Sequence, residues 1–550
     1  MKITFLGATR TVTGSAFRVE TLQGRVQVDC GLFQGSRSLE QRNRKTALHR
    51  PKATDALILT HAHIDHTGLL PALVKAGYQG PVFCTPATRD LCEIMLLDSA
   101  HIQEMEAEWQ TRRNLRGGRK ALRPLYTKDD VTEALKLFQS VPYKERMEVS
   151  PGFHVRFQDA GHILGSASVE MWVAEGRQST KLVFSGDVGR QRQPIIRDPQ
   201  PIEEAKVLFL ESTYGDRLHK TEEDTRQEFL SIINQAVQDG EKVIVPAFAV
   251  GRTQEILYLL HAFHRKRQLP KIPVYVDSPL AIAATEIFKK HPECFDEEAR
   301  ALLRQGDEPL DLPQLVLVRS TEDSKAINET KGAAIVIAAS GMCNAGRIKH
   351  HLKHNLWRPG AHIVFVGYQA HGTTGRKIID GARKVQIFRE SVAVRARIHT
   401  LGGFSAHADT EELLAWVENF GDRSLKIFVV HGEEKSSFAL AQSLRSRDFS
   451  NVWVPNMLES FDLKEPQPVS AQDLVQAPET SSALLDLERN IRKIRKRIAR
   501  LTVHGGDLEQ VLARKIEHMA HTLEEMEAML QSQSKNAAGA PKGVHHSTIA

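Results

Sequence analysis

The chain has 550 residues, of which 41% are hydrophobic, enough for large cores in more than one domain; a formal net charge of +6 gives only a mild bias towards polyanions. Its five cysteines, Cys30, Cys84, Cys92, Cys294 and Cys343, lack paired spacing and any CxxC, which excludes a disulfide-stapled scaffold and suggests a reducing compartment. No apolar run approaches transmembrane length, and Met1–Gly7 opens as a strand without signal-peptide organisation, so the expectation is a soluble cytoplasmic protein without a membrane partner.

In chain order, Val26-Gln27-Val28 is a strand ending in Asp29-Cys30-Gly31. The basic segment Arg37–Arg50 follows, equally suited to phosphate contact and to solvated charge. Ala56–Thr60 reads as a short buried strand ending in His61-Ala62-His63-Ile64-Asp65-His66-Thr67, which puts four candidate metal ligands within six positions. Imidazoles and a carboxylate crowded at a strand end suit a divalent metal such as zinc. Residues 90–150 look like added helices, with Leu91, Ile94, Met95 and Leu96 followed by a basic stretch around Arg112–Lys120. The loop Asp159-Ala160-Gly161-His162 offers a third histidine to His61 and His63. Two more apolar runs end in acids, Lys181–Phe184 at Asp187 and Val207–Leu210 at Glu211.

From 242 onwards apolar runs alternate with helical patterns. Lys242–Pro246, Lys271–Val276, Ala333–Ala338 and Ile363–Val366 read as strands of a largely parallel sheet covered by helices. The loops after them carry pieces suited to phosphate binding: Arg252; Ser340, Gly341 and Arg347; His371, Gly372, Thr373, Gly375 and Arg376. Glycine permits close backbone approach, amides at helix starts attract anions, and arginine supplies planar donor forks. A structural turn explains any one of these loops as well, but three in one segment favour an anionic polymer. None matches the Gly-x4-Gly-Lys-Ser/Thr phosphate loop, so ATP hydrolysis has no support. Gly402-Gly403 then leads to Phe404-Ser405-Ala406-His407-Ala408-Asp409, and the run Ile427–Val430 ends in His431-Gly432-Glu433. Taken singly, Asp29 or Asp187 could be a turn former and His431 a core histidine; their shared position at strand ends makes one site the better explanation.

Residues 464–480, rich in Pro, Gln, Ser and Ala, read as a linker. Across 481–530, Leu484, Leu487, Ile491, Ile494, Ile498 and Leu501 repeat at helical steps. Gly505-Gly506 breaks the pattern, and Leu508 to Leu530 resume it, which predicts a helical hairpin or coiled coil. Its first arm is basic and its second carries several glutamates, so the arms could pair with each other, support a homo-oligomer or contact RNA. Residues 531–550 read as a disordered tail. No KH or zinc-finger module is evident.

Over about residues 1–460 the chain resembles the metallo-beta-lactamase fold. The resemblance rests on Asp29, His61-x-His63-x-Asp65-His66, His162, Asp187 and His431; Glu211, Phe404–Asp409 and Val430–Glu433 resemble the added motifs of its beta-CASP branch of RNA-processing and DNA-repair nucleases. It implies an αββα sandwich split by an inserted parallel-sheet domain, placed as a lid with the substrate strand in the cleft. The expected parts are 1–210 and 395–463 for the sandwich and 211–394 for the insert. It further implies two zinc ions, one on His61, His63 and His162 and one on Asp65, His66 and His431. Asp187 would bridge them, and Asp29 would steady the imidazoles from behind. Such a pair can activate a hydroxide and neutralise phosphoryl charge, with Asp65 and Asp187 in the catalytic set. His407 would protonate the leaving oxygen, oriented by Glu211. The expected function is a zinc-dependent ribonuclease acting on single-stranded RNA, cutting internally and with room for 5′-exonucleolytic trimming. The alternatives are a DNA nuclease of the same branch and an inactive RNA-binding scaffold. A homo-oligomer, through the core or the C-terminal helices, is a further expectation. A lactamase or glyoxalase would not need so large an insert.

Overall fold

Period-two alternation builds the strands that face one core. In Phe153–Asp159 the side chains of Phe153, Val155 and Phe157 are buried while His154, Arg156 and Gln158 are half-exposed, as expected for a strand with one face on a core and one towards solvent. The structure, a computed structural model, describes residues 1–463 except Arg119, Tyr368, Ala370 and His371. The linker, helical hairpin and tail expected at 464–550 lie outside the described residues.

Two seven-stranded sheets pack face to face. The first runs, edge to edge, through Ser460–Asp462, Lys2–Phe5, Phe17–Glu20, Arg25–Val28, Ala56–Ile58, Val82–Cys84 and Phe138–Ser140. The second runs through Val452–Trp453, Lys426–Val430, Val207–Glu211, Gln178–Phe184, Ala167–Glu175, Phe153–Asp159 and Arg146–Ser150. Between them lies a core rich in phenylalanine: Phe5, Phe17, Phe184, Phe209 and Phe428, with Phe184 and Phe209 stacked at 4.2 Å between ring centroids. Helices Pro86–Arg116 and Lys128–Leu135 cover the first sheet's outer face, and Thr410–Glu418 and Glu434–Arg445 cover the second's. This is the expected αββα sandwich. Among the described residues no helix is long and apolar enough to cross a membrane.

The insert carries a six-stranded sheet whose every pairing is parallel, in the order Leu315–Leu317, Val274–Val276, Ala334–Ala338, Lys242–Pro246, His362–Phe365 and Arg397–Thr400. Its central strands are buried along their whole length, which explains their unbroken apolar runs. The boundary expected at 394/395 falls just before the last strand of this sheet. Arg397–Thr400 completes the insert's sheet beside His362–Phe365, so the chain returns to the sandwich only after residue 400. At the other junction Val207–Glu211 belongs to the sandwich, paired in parallel with Lys426–Val430.

Candidate metal centre

The histidine cluster is built by a strand that stops abruptly. Ala56–Ile58 is followed by a loop in which His63 precedes a single helical turn, Ile64–Thr67, so that Asp65 and His66 fold back towards His61. The segment Asp29–Leu32 holds this loop by backbone hydrogen bonds, from Cys30 N–H to His66 O at 2.8 Å and from Leu32 N–H to Ile64 O at 2.9 Å. Gly31 is required there, because a Cβ would stand 1.5 Å from Asp65 O. Asp29 and His431 both sit in the left-handed backbone region (φ 58° and 50°), which non-glycine residues rarely occupy without a reason.

Side chains from four loops then meet. His61 Nε2 lies 3.1 Å from His63 Nδ1, and His162 Nε2 lies 3.2 Å from the same atom. Asp187 Oδ2 is 3.4 Å from His61 Nε2 and 3.5 Å from His162 Nε2. Its other oxygen, Oδ1, is 3.3 Å from both His66 Nε2 and His431 Nδ1. His66 Nε2 faces His431 Nε2 at 3.1 Å, and Asp65 Oδ2 is 3.6 Å from that nitrogen. The donor atoms of His61, His63, His162 and Asp187, and those of Asp65, His66 and His431, fall into two clusters within 4.8 Å, consistent with a dinuclear zinc site. Asp187 reaches both with different oxygens.

The donor set fits divalent cations on electrostatic grounds as well. Asp187 Oδ1 is buried and takes no hydrogen bond, an expense that a cation removes. Burial pushes His63 down to about 4 and holds His61 and His162 well below the ordinary imidazole range, so their nitrogens present lone pairs. Burial works against the charge on Asp65 and Asp187, but neighbouring histidines win: Asp65 falls to about 2 and Asp187 lies well below the carboxylate range. His66 is the exception. Burial disfavours its charge, yet Asp187 and Asp29 raise it well above the usual value, so a cation arriving at its Nε2 must displace a proton.

Behind His66 stands Asp29. Its Oδ2 accepts from His66 Nδ1 at 2.7 Å, from Ser15 Oγ at 3.0 Å and from Thr60 Oγ1 at 3.1 Å, while Oδ1 accepts from Thr60 N–H at 2.9 Å. That leaves Nε2 to face the cluster. Replacing Asp29 by alanine is expected to weaken metal binding about 10–100-fold, as loss of an outer-shell carboxylate does; competition for zinc against a chromogenic chelator measures it. Ser15 and Thr60 were not anticipated from sequence. Thr60 adjoins His61, but Ser15 carries no signal of its own.

Glu211 closes its strand against the far side of the cluster. Its Oε1 accepts from Val188 N–H at 2.7 Å and from His407 Nδ1 at 3.1 Å, and its Oε2 accepts from Thr213 N–H at 3.2 Å. His407 Nδ1 is also 3.9 Å from Asp187 Oδ2, and its ring is 4.4 Å from that of His162. Burial lowers an imidazole here, but the Glu211 and Asp187 carboxylates outweigh it and push His407 up to about 9. With Nδ1–H held by Glu211, Nε2 is the atom placed to hand over a proton. His219, also unanticipated, braces the loop through its Nε2, 3.1 Å from His407 O.

The proposed phosphate loops fare unevenly. Arg252 is buried and paired with Glu255, whose carboxylate also accepts from Gln193 Nε2 at 2.7 Å; Gln193 in turn reaches His162 O at 3.4 Å. Its fork therefore stiffens the wall behind a metal-site loop. Arg347 is likewise spent inside the insert, on Asp277 Oδ1 at 2.7 Å, Val318 O at 3.0 Å and Arg319 O at 2.7 Å. Buried Asp277 joins it to Ser324 and His351, each at 2.6 Å. Arg347 thus spends its fork on a buried carboxylate and two backbone carbonyls, while Arg252 pairs one terminal nitrogen with Glu255 and its buried Nε has no hydrogen-bond partner among the described residues; both are placed as structural braces. Arg376 is half-exposed and pairs with Asp380 at 2.9 Å, and Thr373 Oγ1 caps its helix. Ser340 Oγ bonds within its own loop to Ala345, Gly341 O accepts from Gln369, and Gly375 packs against Gln369. Gly372 has open space around it, and His371 lies outside the described residues.

Three family models match the chain: a metallo-beta-lactamase superfamily domain over residues 19–206, a Beta-Casp domain over 253–378 and a Zn-dependent metallo-hydrolase RNA specificity domain over 391–455. Among curated relatives, the chain is 41% identical to Ribonuclease TTHA0252 of Thermus thermophilus over 81% of its own length and 96% of the relative's. It is 32% identical to Transcription termination factor FttA of Methanosarcina mazei, covering 81% of this chain and 69% of that one. The corresponding factor of Thermococcus kodakarensis is 31% identical, over 84% and 72% respectively.

Proposed function

The chain belongs to the beta-CASP family of metallo-beta-lactamase-fold ribonucleases, and we propose that it hydrolyses phosphodiester bonds of single-stranded RNA, chiefly by internal cutting and with 5′-exonucleolytic trimming as a second mode. The single observation that carries the reading is Asp187, set between two ligand clusters and 3.9 Å from a histidine that Glu211 orients. In this reading His61, His63 and His162 would hold one zinc ion and Asp65, His66 and His431 the other, with Asp187 placed to serve both ligand groups. Zinc bound there supplies Lewis acidity and an activated water for attack on an already anionic diester.

The protein's own groups do the rest. Asp29 fixes the tautomer of His66, and the buried neutral imidazoles keep the site poised at neutral pH. His407, held by Glu211, donates a proton to the departing oxygen, so that no alkoxide need leave unprotonated. The insert's loop Ala247–Gly251 packs beside the His162 loop, which brings the inserted domain to the metal centre's side of the sandwich. The relatives named as a ribonuclease and as transcription termination factors support RNA as the substrate.

The test is cleavage of matched single-stranded RNA and DNA, labelled at either end, with and without a chelator. Chelator-sensitive internal RNA products are expected. End-first products alone would replace the endonuclease with an exonuclease, and preferential DNA cutting would reject the RNA assignment. Zinc-loaded protein that cuts neither polymer would reject the enzyme and leave an RNA-binding scaffold.

A further inference from the structure

The strand Lys242–Pro246 runs into the loop Ala247-Phe248-Ala249-Val250-Gly251 ahead of the helix Arg252–Arg265. Ala247, Ala249, Val250 and Gly251 are buried, but Phe248 is 39% exposed. Its ring is seated on two glycines: a Cβ on Gly341 would come within 2.9 Å of it and one on Gly367 within 3.8 Å. Those glycines open the loops after Ala334–Ala338 and His362–Phe365, the strands on either side of Lys242–Pro246. The ring thus spans the carboxyl ends of three adjacent parallel strands, the edge at which open α/β sheets bind ligands. The same loop packs against the loop that carries His162, since a Cβ on Gly251 would stand 3.1 Å from Cγ2 of the neighbouring Ile163.

We propose that Phe248 is a stacking platform for one base of the RNA substrate close to the cut, a specificity-determining contact that sets register along the strand. At Gly341 a side chain would crowd the phenyl ring, and this seat backs the ring on one side while leaving the rest exposed. An exposed aromatic ring at the carboxyl edge of a parallel sheet finds a natural partner in the face of a nucleobase, which needs no particular sequence. Stacking on it requires an unpaired, unstacked base, so the platform also selects single strands over duplex. The inference rests on the ribonuclease reading.

The experiment compares wild type, Phe248→Ala, Phe248→Leu and Phe248→Trp on an RNA series with one abasic residue moved along the strand. Wild type is expected to cut about 5- to 150-fold more slowly when one position, and not its neighbours, lacks its base. Phe248→Ala should cut intact RNA with that same deficit and be indifferent to the abasic position. Phe248→Leu keeps apolar bulk but no π face and should behave like the alanine variant; Phe248→Trp should restore discrimination. Zinc content and melting temperature are measured in all four proteins and are expected to match. A wild type that cuts RNA with no preferred base position, or alanine and leucine variants that retain one, would overturn the platform and leave the ribonuclease standing. Should wild type cut no RNA, an oligonucleotide with 2-aminopurine at successive positions decides by binding alone. Position-specific quenching lost in Phe248→Leu supports the platform, and its absence in wild type rejects it.

Discussion

Replacing His407 by alanine is expected to lower kcat about 10²–10⁴-fold, the usual worth of a positioned general acid, while leaving both zinc ions bound. The imidazole belongs to neither metal cluster, so its loss should spare zinc stoichiometry. A structural role and a proton-transfer role are separated by the leaving group. An RNA with a bridging sulfur at the scissile bond releases a thiolate that needs no proton, and His407→Ala should cut it nearly as fast as wild type. A variant equally slow on both substrates would remove His407 from the acid role. The pH profile gives an independent check. Glu211 and Asp187 hold His407 up to about 9, so its acid form persists through neutrality and the wild-type rate falls on the alkaline side as that proton is lost. Glu211→Gln removes the largest cause of the upward shift and should move the fall to lower pH.

Asp187→Asn should have a still larger effect. The two carboxylate oxygens approach different ligand clusters, and an asparagine can present only one oxygen and lacks the charge. If two metals contribute several kcal/mol of transition-state stabilisation through a shared carboxylate, activity should fall by about 10³-fold or more. Zinc content should drop together with activity, and added zinc should no longer raise the melting temperature as it does in wild type. A variant that keeps two zinc ions and near-normal activity would refute the bridging role.

Most of the architecture was legible because its elements obey simple periods. Buried parallel strands such as Ala334–Ala338 print as unbroken apolar runs, and the loops that carry His61 and His431 follow strands of that kind, whereas the His162 loop follows an alternating antiparallel one. The histidines could be found because their chemistry is rare at strand ends. The arginines could not be assigned in the same way. Arg252 and Arg347 look identical in sequence to phosphate-binding residues, and only the fold reveals Glu255 and Asp277 beside them. The strand Arg397–Thr400 is hard to read for a related reason: it is an edge strand with exposed and half-exposed positions, so it lacks the apolar signature of its neighbours. Ser15 and Thr60 act through hydroxyl groups, which almost any loop contains. Phe248 was hidden as well, since an exposed phenylalanine and a core one are the same letter until burial is known.

The insert separates His431 from the other ligands in the chain, and this gives the site an order of birth. A domain assembled from its amino-terminal end during translation can gather His61, His63, His162 and Asp187 early. The strand Lys426–Val430, which delivers His431 beside Glu211, leaves the ribosome only after the whole insert has been made. His407, the proposed proton donor, is almost as late. A nascent copy therefore carries every proposed metal ligand except His431 and lacks the proposed leaving-group acid, and on this reading the messenger still being read is an RNA it is not yet equipped to cut.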